Sequence, residues 1–220
     1  MQCFGYWFCV KTHWVIYENQ IGEVFLKIKF ITLHRVFNYG SVLQTYATQK
    51  ILSDLGNDVE VIDYIPPKWK ASSLLLNVEN KRGFIKDNIY RLARAVSVLI
   101  KMKRFWGFNK KNLKLTRKYK SYKELEAAPP KADMYCTGSD QVWNIDYSGL
   151  DNAFFLRFTP EDTKRISFSS SFGMTEFSES EEHSIKTFLS DYDALSLRED
   201  SAVTLAKKMG FDSTLMIDPT

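Results

Sequence analysis

The chain has 220 residues, enough for one large domain or two small ones, and its 45% hydrophobic content with a mean hydropathy of −0.27 fits a globular protein and excludes a disordered one. Three cysteines, Cys3, Cys9 and Cys136, show no C-x-x-C spacing, which argues against a structural zinc site and against a secreted disulfide framework. The net charge of +4 hides an asymmetry: between Lys81 and Lys123 stand fifteen Lys or Arg and one acid, Asp87, so this stretch carries +14 and the remainder −10.

The N-terminal stretch MQCFGYWFCVKTHW has a short apolar patch without a basic leader. It is too short to span a bilayer and has no small-residue cleavage site, so no export signal is read and a cytoplasmic protein is expected. Residues 28–33 (IKFITL) read as a strand. Gly40 and Ser41 mark a helix start, and Leu43, Ala47, Ile51 and Leu55 follow at helical spacing until Gly56 closes the helix. VEVID at 59–63 is the next strand, stopped by Pro66 and Pro67, which completes a β-α-β unit.

Residues 84–108 predict a long basic helix, with Ile85, Ile89, Leu92, Val96 and Leu99 repeating at helical spacing among Arg91, Arg94, Lys101 and Lys103. Such a block implies an anionic partner (phosphates, nucleic acid or a lipid headgroup surface) or, equally, a solvated helix face. Residues 109–126 are polar and basic, with a short helix near 121–127. Asp133–Thr137 is a strand leaving into GSDQVWN. Residues 153–158 are short and apolar. Residues 164–170 form a strand leaving into SSFG, 178–190 an acidic helix, 194–197 a strand running into SLRED, 200–209 a helix ending at Gly210, and 214–217 a last strand. Strands alternating with helices give an α/β doubly wound parallel sheet. The chain stops at a strand exit, DPT, which leads us to expect a fragment cut at a domain boundary.

In open α/β sheets, ligands bind in the crevice outside the carboxyl ends of the strands. Asn38, Tyr39, Gly40 and Ser41 lie between the first strand and first helix. Amides at a helix N-terminus favour phosphate or a sugar hydroxyl, and Gly40 allows close backbone approach. The plain alternative is a turn with Ser41 as the cap. Gln44 sits one turn further on. In the second loop, Gly138, Ser139, Asp140 and Gln141 offer hydrogen bonds to sugar hydroxyls, and Trp143 either offers a face to a sugar ring or belongs to the core. Ser169, Ser170, Ser171 and Gly173 form a third strand exit, lining the cleft or simply packing tightly. Arg198 follows a strand directly; its guanidinium suits a carboxylate or phosphate, with an ion pair to Glu199, Asp200 or another carboxylate as the alternative. His34, on the first strand exit, is read as structural rather than catalytic.

The stretches ITLHRVFNYGSVLQTYATQKIL, VEVIDYIPP, YCTGSDQVWN, GLDNAFFLRF, KRISFSSSFG, DALSLRED and MIDPT resemble the polysaccharide pyruvyl transferase family in order and spacing, over residues 27–220. The resemblance implies a Rossmann-like N-terminal half of a two-domain transferase of the GT-B type. It implies transfer of a pyruvyl group from phosphoenolpyruvate to a sugar of a surface polysaccharide or its precursor, usually as a ketal, with no metal and no cofactor beyond the donor. Arg198 resembles a donor contact. Residues 1–26 precede the family's usual start and are expected outside the fold, with Leu26 a candidate true start; 81–123 is a basic helical insertion; the second half, which would carry further basic residues and a histidine, is absent. Implied partners are a sugar or lipid-linked sugar acceptor and an anionic membrane surface met through 81–123, at the inner face of the membrane. The alternative is a non-catalytic carbohydrate- or nucleotide-sugar-binding module. The acidic remainder and the lack of a nucleic-acid motif speak against a nucleic-acid binder.

Overall fold

A computed structural model of the protein describes residues 25–69 and 84–220. The expectations for residues 1–24, and for 81–83 at the start of the basic stretch, lie outside the described residues. The elements in order are β1 (Lys27–Ile31), α1 (Tyr39–Asp54), β2 (Asp58–Tyr64), a 3-10 turn (Pro67–Trp69), α2 (Phe84–Asn112), β3 (Leu115–Tyr119), α3 (Tyr122–Ala127), β4 (Met134–Thr137), α4 (Ile145–Ser148), β5 (Lys164–Ser167), α5 (Glu179–Leu189), β6 (Ser196–Leu197), α6 (Asp200–Lys208) and β7 (Thr214–Leu215).

Five strands form a parallel sheet in the order β3-β2-β1-β4-β5. Single parallel bridges, Ile166 to Ala194 and Ser170 to Leu197, connect it to the parallel pair β6-β7. The chain therefore winds outward from β1 to β3, then returns to lay β4 against the other side of β1. This α/β architecture is compatible with a Rossmann-like sheet, and the reversal between β1 and β4 creates a topological switch point.

Period-2 alternation along the strands builds two cores. Ile28, Phe30, Val59, Val61, Met134 and Cys136 face one side with Leu52 of α1. Ile31, Ile62, Tyr64 and Tyr135 face the other, with Trp143, Phe154, Phe155, Ile185, Leu189, Leu205 and Ala206. Residues 153–158 form successive turns rather than a strand, and Ala153, Phe154, Phe155 and Leu156 fill this second core. Leu26 already belongs to the folded body: it packs on the first core, and its carbonyl accepts from Asp58 N at 2.9 Å.

Two sequence expectations change. The polar, basic stretch holds a strand, β3, on the sheet edge beside β2, where charged side chains are tolerated because one flank meets water. In α1 the apolar set Leu43, Ile51 and Leu55 faces outward, while Ser41, Gln44, Thr45, Thr48 and Gln49 are buried. The polar set wins the inner face because it satisfies backbone groups at the sheet: Gln49 Nε2 donates to Val59 O at 3.1 Å, and its Oε1 accepts from Lys114 N at 3.1 Å.

Candidate functional site

The exits of β1 and β4 are tied together at the switch point. Gly138 N donates to Ile31 O at 2.8 Å, and Thr32 Oγ1 donates to Ser139 O at 2.6 Å. Gln44 Nε2 donates to Thr32 Oγ1 and to Ser41 O, each at 2.9 Å, so the first turns of α1 join the same network. Gly138 fits the close approach of the strands: a Cβ there would lie 3.0 Å from the Phe30 ring and 3.2 Å from Thr32 Cβ, tight enough that one of them must shift. Asp140 is held at φ +99°, its carbonyl accepting from Ser171 N at 3.1 Å and its Oδ1 from Gln141 N at 2.8 Å.

Two acceptors in this network are left without a donor among the described residues. Asp140 Oδ2 and Gln44 Oε1 are both shielded from solvent and both unpaired. Such a group costs about 1–3 kcal/mol of desolvation when it meets no partner. Unpaired acceptors at a switch point suit a ligand that brings hydroxyl donors.

A second arm of the site runs across the exits of β4, β5, β6 and β7. Ser139 Oγ donates to Asp218 Oδ2 at 2.9 Å, and Arg198 Nη1 donates to the same oxygen at 2.7 Å. Arg198 Nε and Nη2 reach Glu199 Oε1 at 3.3 and 3.2 Å, and Ser171 Oγ donates to the Glu199 carboxylate at 2.7 Å. Burial pushes the Asp218 carboxyl up, but hydrogen bonds from Thr220 and Arg198 outweigh it and leave it below the usual carboxylate range. Burial likewise opposes the Arg198 charge, and Asp218 and Glu199 more than compensate. Arg198 thus makes the carboxylate pairing weighed as its alternative role and is also part of the strand-exit cluster. Glu199 is an ion-pair partner the sequence offered for Arg198, whereas no role is expected of Asp218 from the sequence; its signal is position, since DPT leaves a strand.

The remaining candidates divide. Asn38, rather than Ser41, caps α1: its Oδ1 accepts from Gly40 N at 2.8 Å and Ser41 N at 3.4 Å, so those amides are already engaged. Tyr39 is exposed, its ring 4.9 Å from that of Phe105, beside an apolar groove of roughly 200 Å³ between α1 and α2. Of its two readings, sugar platform or core residue, Trp143 takes the second. It is fully enclosed among Phe155, Phe172 and Tyr192, with Nε1 donating to Phe154 O at 3.0 Å, because an indole that size fills the second core best. Gly173, at φ +58°, leaves room for Gln141, whose Cδ would stand 2.6 Å from a Cβ; Asn144 Nδ2 donates to Gln141 Oε1 at 3.3 Å. Ser169 and Ser170 are buried struts, donating to Ile217 O and Thr137 O, each at 3.0 Å.

His34 is buried with its Nε2 3.1 Å from Asp63 Oδ1, while Arg35 holds both Asp63 oxygens at 2.5 Å and stacks over Trp106. Burial raises the Asp63 carboxyl, but hydrogen bonds from His34 and Arg35 outweigh it and set it below the ordinary range. Among the described residues, no group of three or more His, Cys, Asp or Glu is placed to hold a metal ion.

Compared with known families, the chain matches the model described as polysaccharide pyruvyl transferase over residues 38–220. No curated protein and no solved structure matches it.

Proposed function

Because the chain belongs to the polysaccharide pyruvyl transferase family, a family of transferases, we propose that it transfers a pyruvyl group from phosphoenolpyruvate to a sugar of a surface polysaccharide or of its lipid-linked precursor, in the cytoplasm. The domain acts as one Rossmann-like half of a GT-B-type enzyme, and its strand exits take the acceptor. The observation that carries the transferase reading is the family match over residues 38–220, and the pair of unpaired, buried acceptors at the switch point, Asp140 Oδ2 and Gln44 Oε1, supports a polyhydroxylated ligand there.

Sugar hydroxyls donate to these two oxygens. Asn38, Tyr39, Gly40 and Ser41 border the acceptor on the α1 side, and Gly138, Ser139, Gln141, Ser171 and Gly173 on the other. Arg198 keeps its short contact with Asp218 and exchanges its longer contacts with Glu199 for the anionic donor, since a guanidinium suits both carboxylate and phosphate. For a ketal, two acceptor oxygens bond to C2 of phosphoenolpyruvate and the C2–O bond to phosphate breaks. One hydroxyl proton is matched by a proton taken up at C3, which becomes a methyl, and the other by the proton that leaves with phosphate.

The test is incubation with phosphoenolpyruvate and an oligosaccharide acceptor, reading acceptor mass and released phosphate. Equimolar phosphate and a pyruvyl mass gain support transfer. Saturable sugar binding with no transfer supports instead the second reading, a non-catalytic carbohydrate- or nucleotide-sugar-binding module, which the same unpaired acceptors favour.

A further inference from the structure

Helix α2 is anchored to the body through its C-terminal part. Phe105 and Asn109 are buried; the Phe105 ring packs on Phe37 and Tyr39, and Asn109 Nδ2 donates to His34 O at 2.7 Å. Further back the helix turns another face to solvent. Val96, Leu99 and Ile100 are 50%, 57% and 50% exposed, while Ala95, Val98 and Met102 are half-buried. At 3.6 residues per turn, Val96, Leu99 and Ile100 share one arc, and Phe105 sits about half a turn round from Val96. The apolar stripe therefore points away from the domain. The helical backbone runs back to Phe84, and the sequence repeats apolar residues at the same spacing at Ile85, Ile89 and Leu92.

The stripe has a one-signed surround. Lys101, Lys103, Arg104, Lys110 and Lys111 are all exposed, and no acidic residue stands between Asp87 and Glu124 in the sequence. Single exposed aliphatics need no explanation, but three adjacent on one arc with cations and no anions do. A second copy of the same face would bring cation against cation. A duplex of nucleic acid would neutralise the charge and leave the stripe in water. Among the described residues no helix is long and apolar enough to cross a bilayer. A basic helix with an apolar face suits the plane of a membrane interface, with aliphatics at the acyl boundary and cations at lipid phosphates.

We propose that the Val96–Leu99–Ile100 face of α2 docks the protein onto an anionic membrane surface, with Lys101, Lys103 and Arg104 meeting the headgroups. This docking is independent of the reaction catalysed. It is tested by sedimenting the full chain with phosphatidylcholine vesicles, with and without a third of phosphatidylglycerol, at low and high salt. The protein pellets only with the anionic vesicles and only at low salt. Lys101→Gln with Lys103→Gln lowers the partition coefficient about 30-fold, and Val96→Ser/Leu99→Ser/Ile100→Ser lowers it at least about tenfold. All five side chains are exposed, so unchanged circular dichroism serves as the fold control. Wild-type protein staying in the supernatant at low salt overturns the proposal. So does a serine variant that pellets like wild type, or one that instead converts a dimer to a monomer on size exclusion.

Discussion

Arg198 and Asp218 form an ion pair that links the exits of β6 and β7: Nη1 lies 2.7 Å from Oδ2, the oxygen that also accepts from Ser139 on the β4 exit. The guanidinium is therefore oriented by one carboxylate and only loosely held by the other, Glu199, at 3.2–3.3 Å. Arg198→Ala is expected to lower phosphoenolpyruvate-dependent transfer by about 100-fold or more and to leave sugar binding within a few-fold. Asp218→Asn is expected to raise the KM for phosphoenolpyruvate more than it lowers kcat. Wild-type transfer by Arg198→Ala, measured by phosphate release, removes this residue from the chemistry.

Asp140 gives the opposite balance of stability and binding. Its unpaired Oδ2 costs the fold while it waits for a donor. Asp140→Asn is expected to leave stability unchanged or raise it by about 1 kcal/mol in urea unfolding, and to weaken sugar binding at least tenfold, on the order of one good hydrogen bond to a charged group. Loss of stability together with intact binding would mark Asp140 as a structural turn residue only.

Asp63 is a fold determinant. It is buried between His34 and Arg35, and removing it strands the Arg35 charge and takes the hydrogen-bond partner from His34 Nε2. Asp63→Ala is expected to destabilise by about 3–5 kcal/mol, the scale for breaking a buried pair. The folded pKa of Asp63 is depressed, so its contribution is complete above the unfolded value of about 3.9 and is lost as pH falls through the folded value. Asp218 has the same sign. Wild type should lose stability below about pH 4, and Asp63→Ala should show a shallower acid limb over the same window; identical acid limbs would assign the loss to other carboxylates.

Gly173 is the third site-side test. Alanine there must adopt φ +58° and would put Cβ 2.7 Å from Asn144 Nδ2 as well as against Gln141. Gly173→Ala is expected to cost about 1–3 kcal/mol and to displace Gln141. Gly107, where a Cβ meets nothing within 4 Å, is the internal control: Gly107→Ala, in mid-helix, should stabilise by up to about 1 kcal/mol. A melting temperature for Gly173→Ala equal to wild type would show that Gln141 gives way freely.

The parts of the fold that sequence carried were those written in local signals. The β1-α1-β2 unit was legible from an apolar strand, a helix closed by Gly56 and a double-proline stop, and the strand exits that build the site were legible because Asn, Gly, Ser and Asp follow each apolar run. What was not legible depended on distant partners. Nothing local says that Gln49 will be wanted by Val59 and Lys114, so α1 reads with its apolar set as the inner face, and the structure turns it outward. Trp143 carries no mark separating a ring platform from a core filler; Phe155, Phe172 and Tyr192 decide it from elsewhere in the chain. Asp218 became a site residue only when β7 was laid beside β6, which brings it to Arg198 across twenty residues of sequence.

The polar inner face of α1 sets a hierarchy of opening within the domain. Of its buried residues, only Val42 and Leu52 are aliphatic; its polar grip on the sheet runs through Gln44 to Thr32 and Gln49 to Val59 and Lys114, while the Thr48 hydroxyl is buried without a partner among the described residues. Each such contact is worth about 1 kcal/mol net, against 1.5–3 for a buried aliphatic side chain, so α1 lifts from the sheet more cheaply than β1 parts from β4. Its amides should take up deuterium before those of the strands beneath it, as a cooperative unit of lower local stability. Because Gln44 rides on this helix, a sugar bridging Gln44 and Asp140 would clamp it down, and slowed exchange across α1 would report occupancy of the site without any catalytic turnover.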